Sequence, residues 1–207
     1  IEVAIDLFSE KGFSGTTTKE IASAAGVTEA IIFRHFATKQ DLYKAILDYK
    51  CDLVSAGAWM GKLQEFMDAR DDEGLFRFLL SKIVAFDREQ PKFARLLTHA
   101  ALEGHELALM HHTQLAMPVG QKFKEYIAKR QASGAIRGEE PGVVTMALVG
   151  AASYYGMQKY VYRHCPIDCD DEWMVDHLLR IIADGLIVKG INPKNSNIGK
   201  KDRGLGK

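Results

Sequence analysis

Little in this sequence advertises chemistry. Three cysteines in 207 residues, Cys51, Cys165 and Cys169, make no even disulfide framework. No signal peptide is visible, so a reducing, cytoplasmic setting is expected. Cys165-Pro-Ile-Asp-Cys169 lacks the C-x-x-C spacing of a redox pair and reads as two isolated thiols. Formal net charge is zero, with 27 basic residues against 27 acidic ones, so any affinity for nucleic acid has to come from a local surface. Even residues 1–50 carry six Lys and Arg against seven acids.

Other absences narrow the fold and the chemistry. No period-two apolar alternation of useful length and no Asn-Gly or Asp-Gly hairpin signal occurs, which leaves no strands. There is no repeat period and no phosphate-binding glycine motif. No Ser-His-Asp set or carboxylate pair stands out, so no catalytic group is assigned and no cofactor is expected. His111 and His112 are adjacent and diverge by about 100° on a helix, while His105 and His112 read as surface residues, so no metal site is expected. The longest uncharged run, Pro141 to Gln158, approaches the ~18–20 residues of a membrane span. It also contains Gly142, Thr145, Gly150, Ser153, Gly156 and two tyrosines. It is read as a helix buried on several sides, with no membrane partner.

What is present is helical periodicity. Ile1, Ala4, Ile5 and Phe8 define a first helix ended by Gly12. Thr38 is placed to cap a long helix with Leu42, Ala45, Ile46, Tyr49 and Leu53 on one stripe, weakened toward its end by Gly57 and Gly61. Asp71 and Asp72 start another helix, with Leu75, Phe76, Leu79, Ile83 and Phe86 as its face. Pro91 divides it from a short helix through Ala100. A helical stretch from His105 to Ser133, with a bend expected at Pro118, ends at Gly134. Pro141 opens a helix through Arg163, and Asp170 or Asp171 opens a last one through Ile187. From Gly190 the chain is rich in Gly, Asn and Lys, a basic tail expected to be disordered.

The informative stretch is Thr17 to Phe36. Thr17 and Glu20 have capping-box spacing. Ile21, Ala22 and Ala25 share a face, and Gly26 stops the helix because glycine reaches the left-handed region without steric cost. Thr28 caps a second helix with Ile32 and Phe36 on its inner side. Two short helices around a glycine turn form a helix-turn-helix plan, whose second helix meets base edges in the major groove. An ordinary helical corner has the same outline.

Further spacings go beyond that outline. Gly12-Phe13, Thr16-Thr17, Ile21-Ala22, Ala25-Gly26-Val27, Phe33-Arg34-His35-Phe36 and Lys39 followed by Leu42 resemble the DNA-binding domain of the TetR family of bacterial transcriptional regulators. The resemblance covers roughly the first fifty residues. It implies an all-α protein with a three-helix DNA-binding domain at 1–50, a ligand-binding and dimerisation domain at 51–189, and the tail at 190–207. The resemblance also implies a basic arm upstream of Ile1. It implies phosphate contacts from Thr16, Thr17, His35 and Lys39, and DNA contacts from Thr28, Glu29, Ala30, Phe33 and Arg34 on the second helix. Phe33 stands where the family usually has tyrosine, and Ile31 where a small or polar residue is common, so this surface is unusually apolar.

The resemblance further implies a small apolar or amphipathic effector held between helices of the second half. Its candidate lining is Phe86, Phe93, His99, Phe123, Tyr154, Tyr155 and Met157, residues that also fit a plain core. Small residues at 150–153 and Gly156 let another helix approach closely, and the implied homodimer uses helices 141–163 and 171–189. The expected partners are operator DNA and the effector; the expected activity is repression of a palindromic operator, released by that effector. The neutral charge, Phe33 and Ile31 keep open a helical ligand-binding or scaffold protein without DNA affinity.

Overall fold

The chain folds, in a computed structural model that describes residues 1–53 and 56–186, entirely into helices and connecting turns. Helix α1 spans Glu2–Lys11, α2 Thr18–Ala24, α3 Glu29–His35, α4 Lys39–Leu53, α5 Ala56–Ala69 and α6 Asp72–Glu89. Then come α7 Pro91–Leu102, α8 Glu106–His111, α9 Met117–Ala132, α10 Pro141–Gly156 and α11 Asp171–Leu186. Single π-helical turns, His112–Ala116 and Met157–Val161, precede α9 and follow α10. The expected tail from Gly190 and the end of the last helix lie outside the described residues.

Local chemistry sets most helix ends. The Thr17 hydroxyl accepts from the Glu20 N–H at 3.2 Å, and the Glu20 carboxylate accepts from the Thr17 N–H at 2.8 Å, a complete capping box. The Lys11 ammonium and then Thr17 pull the Glu20 carboxyl down to about 2. Thr38 and Asp41 repeat the device at α4, with reciprocal bonds of 2.9 and 3.0 Å. Asp71 caps α6 by accepting from the Gly74 N–H at 2.9 Å. Pro91 and Pro141 occupy first-turn positions of α7 and α10, where a missing N–H costs nothing.

Three sequence expectations shift. Gly57 and Gly61 lie not near the end of the long helix, which is described to Leu53, but within a separate α5. The helix from Pro141 becomes a π turn after Gly156 and the chain leaves it at Arg163, whose φ is 56°. In α4 the buried stripe is Leu42, Tyr43, Ile46, Leu47 and Lys50, while Tyr49 faces out. That rotation arises because α4 packs on α8 as well as on the head, burying two adjacent faces.

The buried side chains form two cores. One joins α1–α4 through Ile5, Phe8, Ile21, Ile32, Leu42 and Tyr43, and is completed by Phe93, Leu96 and Ala100 of α7 and Leu107 of α8. The head is therefore closed by residues more than forty positions downstream of it. The second core fills the body between α5, α6, α9, α10 and α11, with Phe76, Leu80, Phe123, Ile127, Leu148 and Val175 at its centre. Among the described residues no helix is long and apolar enough to cross a membrane.

One buried ion pair ties α6 to α9. Asp72 receives both Arg130 Nε (2.8 Å) and Nη2 (2.7 Å) and the Tyr126 hydroxyl (2.6 Å). Removing the carboxylate leaves a guanidinium with only 17% of its side chain exposed and no counter-charge. Asp72→Ala is expected to lower stability in urea denaturation by about 3 kcal/mol. A loss below about 1 kcal/mol would mean that the pair is solvated and contributes as an ordinary surface bridge.

Candidate nucleic-acid interface

Helices α2 and α3 meet around Gly26, whose φ of 68° allows the chain to reverse. The turn is closed by Val27 N–H donating to Ala22 at 3.0 Å and Gly26 N–H donating to Ser23 at 3.2 Å. Ile32 of α3 is buried beneath, and Phe36 is half-buried. The opposite side of α3 presents Thr28, Ala30, Ile31, Phe33, Arg34 and His35 to solvent. Phe33 is 46% exposed, a large apolar side chain left facing water. Thr28 sits at the N-cap with extended backbone, yet its hydroxyl makes no capping bond.

The structure separates the residues expected to touch DNA into two groups. Thr17, Thr28, Ala30, Phe33, Arg34 and His35 are exposed. Thr16, Glu29 and Lys39 are engaged inside the head. Thr16 is 1% exposed and its hydroxyl donates to the Gly12 carbonyl at 2.8 Å, so its side chain cannot reach a phosphate. That expectation is corrected: Thr16 fixes the turn after α1. Glu29 accepts from the Thr18 hydroxyl, which draws its carboxylate back against α2. Lys39 donates to the carbonyls of Phe13 (2.7 Å) and Thr16 (2.9 Å), and its ammonium sits 4.0 Å from the Phe13 ring centroid. It stitches the start of α4 to the loop before α2.

Sequence reasoning passed over Lys19. Among the described residues Lys19, Arg34 and Lys44 are exposed and make no ion pair, whereas Lys11 is paired with Glu20 and Lys50 with Glu2. The head's slight excess of acids thus hides an uneven distribution, because some of its acids pair with cations that point elsewhere. No feature of spacing distinguishes Lys19 from Lys11; only the pairing does.

The head is fixed to the body at one corner. Glu103, at the end of α7, accepts from the Phe13 N–H at 3.1 Å. Gly12 has φ 71°, and a side chain there would collide with the Glu103 carboxylate. His105 caps α8 by accepting the Leu107 N–H on Nδ1 at 3.2 Å, which places its proton on Nε2 in the neutral form. Its ring lies between Phe13 (4.4 Å) and Tyr43 (4.6 Å), and burial pushes its pKa down. Gln40 reaches Glu106 at 2.8 Å beside it.

The seven side chains expected to line an effector pocket are not gathered in one cavity. Phe86 and Phe93 pack edge to face at 6.1 Å and both meet His111 at 6.0 Å. Phe123 is buried against Phe76, and Tyr154 is 66% exposed on the outside of α10. Tyr155 donates to Asp171 at 3.0 Å, within a cluster completed by Lys159 and Tyr160. Met157 begins the π turn and is half-buried. His99 lines a separate groove with Arg95, Thr98, Leu102, Val161 and Tyr162. The shared-pocket expectation fails because alternate faces of these helices point to different neighbours. Adjacent Tyr154 and Tyr155 separate onto the outside and inside of α10.

These features define a class: an all-helical protein whose amino-terminal helix-turn-helix is presented outward by a larger helical body. Residues 1–46 match the sequence model of bacterial regulatory proteins of the tetR family. An uncharacterized HTH-type transcriptional regulator of Bacillus subtilis, YvkB, is 51% identical over 47 residues, 23% of this chain and 25% of that one. IcaR, the negative transcriptional regulator of the biofilm operon icaADBC in Staphylococcus epidermidis, is 29% identical over 118 residues, 55% of this chain and 59% of its own. The chain thus spans between a quarter and about three-fifths of these curated relatives. Two solved structures share the fold at low identity. NalD, the secondary repressor of the MexAB-OprM efflux pump in Pseudomonas aeruginosa, has TM-score 0.64 and 21% identity, covering 90% of this chain and 92% of that one. FadR from Bacillus subtilis in complex with stearoyl-CoA has TM-score 0.64 and 15% identity, covering 89% and 96%. The match to the tetR family thus lies in residues 1–46, and the rest of the chain shares the fold of these regulators.

A buried carboxylate in the body gives this structure a pH signature. Asp87 of α6 is 6% exposed and lies against Gly156, with no salt bridge among the described residues. Burial pushes its pKa up from 3.8 to about 6. The folded state therefore holds a proton that the unfolded chain has released, and stability falls as pH rises from 3.8 to 6 and is level above. Asp87→Asn should raise the melting temperature by roughly 2–4 °C at neutral pH and leave it unchanged near pH 4. An equal gain at both pH values would show that burial does not shift this carboxyl, and a loss at neutral pH would show that it is charged and partnered.

Proposed function

We propose that the protein is a ligand-responsive transcriptional regulator, a repressor that binds a palindromic operator as a homodimer and is released by a small apolar or amphipathic effector. The observation that carries this reading is the outward side of α3, where Thr28, Ala30, Phe33 and Arg34 stand exposed over a buried Ile32. In this reading Thr28 and Ala30 meet base edges, and Phe33 lies on sugar or a thymine methyl. Arg34, His35 and the unpaired Lys19 meet phosphate, with Thr17 at the start of α2. Glu29 and Lys39 act mainly by holding the head's geometry.

Residues 1–50 serve as the reading head and 51–189 as the body, with α7 and α8 of the body seated in the head's core. The dimer is supported by exposed apolar side chains along one stripe of α10 (Val143, Met146 and Tyr154) and one of α11 (Trp173 and Ile181). A small ligand in the body shifts α4 and the α7–α8 corner, and the two α3 helices lose the spacing that suits one duplex. Such a shift requires unequal ligand affinity for the two states. The working location is the cytoplasm, and no catalytic group is assigned.

Selection from random duplex DNA tests the reading directly. An inverted repeat should be enriched at low salt, and its affinity should fall steeply as salt is raised. Arg34→Ala should weaken binding to the enriched site and reduce the slope of log K against log salt by about 1. If no motif is enriched even at low salt, the protein is a helical ligand-binding or scaffold protein instead.

A further inference from the structure

Helix α7 has two working faces. Phe93, Leu96 and Ala100 are buried in the head's core. Arg95, Thr98, His99 and Leu102, spaced three and four residues apart, form a second stripe facing the end of the π turn. Between this stripe and Val161 and Tyr162 lies a groove of about 300 Å³. Its walls are largely hydrocarbon: Leu102 is 83% exposed and Tyr162 53%, though both flank a cleft.

The groove holds one fixed cation. Arg95 Nη2 donates to the Val161 carbonyl at 3.0 Å, a bond that pins the guanidinium to the wall. Val161 closes the π turn, which is why its carbonyl is available to a side chain. Among the described residues Arg95 makes no ion pair, its bond being to a carbonyl, and no acid lines the groove. A guanidinium held half-buried without a counter-charge attracts a carboxylate, for which its paired N–H groups are shaped. At about 30 Å³ per water-sized group, the volume accommodates roughly ten non-hydrogen atoms.

We propose that this groove binds a medium-chain aliphatic carboxylate, its head on Arg95 and its tail along Leu102, Val161 and Tyr162. The position gives the ligand a route to the head. His99 lines the groove and also stands at Gly12, where a side chain would come within 3.5 Å of its Nδ1. One turn later Glu103 holds the Phe13 N–H. Occupancy of the groove therefore bears on the contact that seats the reading loop. Binding itself stands apart from the regulator reading; only the effect on DNA rests on it.

Octanoate, with ten non-hydrogen atoms, is the probe, and 1-octanol its uncharged counterpart, both titrated calorimetrically into the full chain. Octanoate should bind at one site per chain. Arg95→Gln should weaken octanoate about tenfold or more while changing octanol by less than about twofold, since only the charged pair is lost. Arg95 also supports the π turn, so Leu102→Asp serves as a second variant on an exposed wall. It should weaken octanoate about tenfold by like-charge repulsion with an unchanged melting temperature. Octanoate binding no tighter than octanol, or undiminished binding in either folded variant, overturns the proposal. Octanoate binding by a protein that enriches no DNA motif leaves the site standing and removes the regulator reading. Operator binding with no octanoate binding does the reverse.

Discussion

The Lys39 ammonium is the point on which the head's geometry turns. Two carbonyls, from Phe13 and Thr16, converge on it while the Phe13 ring covers it. Those carbonyls belong to a loop that forms no regular structure of its own, so its shape depends on what grips it. Lys39 grips it from α4, Thr16 ties it internally to Gly12, and Glu103 holds the Phe13 N–H from the far side. The direction of α2, and therefore of α3, follows from that loop. A cation that a phosphate would attract is used to build the frame that presents other residues.

This arrangement also explains why the head and the body are not mechanically separate. A fifty-residue head would leave Phe8 and Tyr43 short of neighbours, and α7 and α8 supply them. Tyr43 is fully buried, its ring against Phe8, Phe13 and His105, and its hydroxyl has no hydrogen-bond partner among the described residues. Burial pushes its pKa up, so the phenol stays neutral. An unsatisfied buried hydroxyl costs on the order of 1–3 kcal/mol. At the other end of the body, Asp171 gathers Tyr160, Lys159 and Tyr155, whose hydrogen bonds hold its carboxyl low against the opposing effect of burial. The π turn after Gly156 thus lies between a fixed cluster on one side and the Arg95 groove on the other.

Much of the fold was legible because it rests on local rules. The capping box at Thr17, the glycines at 12, 26 and 134 with positive φ, and the prolines opening α7 and α10 stand where spacing put them. The stripe of α4 was misread because a single amphipathic face was assumed, whereas α4 is packed on two sides. The candidate interface was legible only as a set of positions. Whether Thr16 or Lys39 points outward is decided by carbonyls brought close in space, which no spacing rule contains. The same holds for Glu29, drawn back by Thr18, and for Lys19, conspicuous only because its neighbours are paired. In the body, aromatic and methionine content suggested a cavity, but residue type cannot say which of two adjacent tyrosines faces in. The groove beside Arg95 depends on a π turn, a feature without a sequence signature.

The central claim is that the leading end of α3 is turned toward base edges while the loop ahead of α2 is locked inside the head. Site-specific photo-crosslinking tests it most directly, with a photoreactive side chain at position 28 and, separately, at position 16, each protein bound to selected duplex DNA. The account predicts crosslinks from position 28 to major-groove bases in both halves of the repeat, and none from position 16. Equal crosslinking from position 16, or none from position 28 in a protein that still binds, would contradict it.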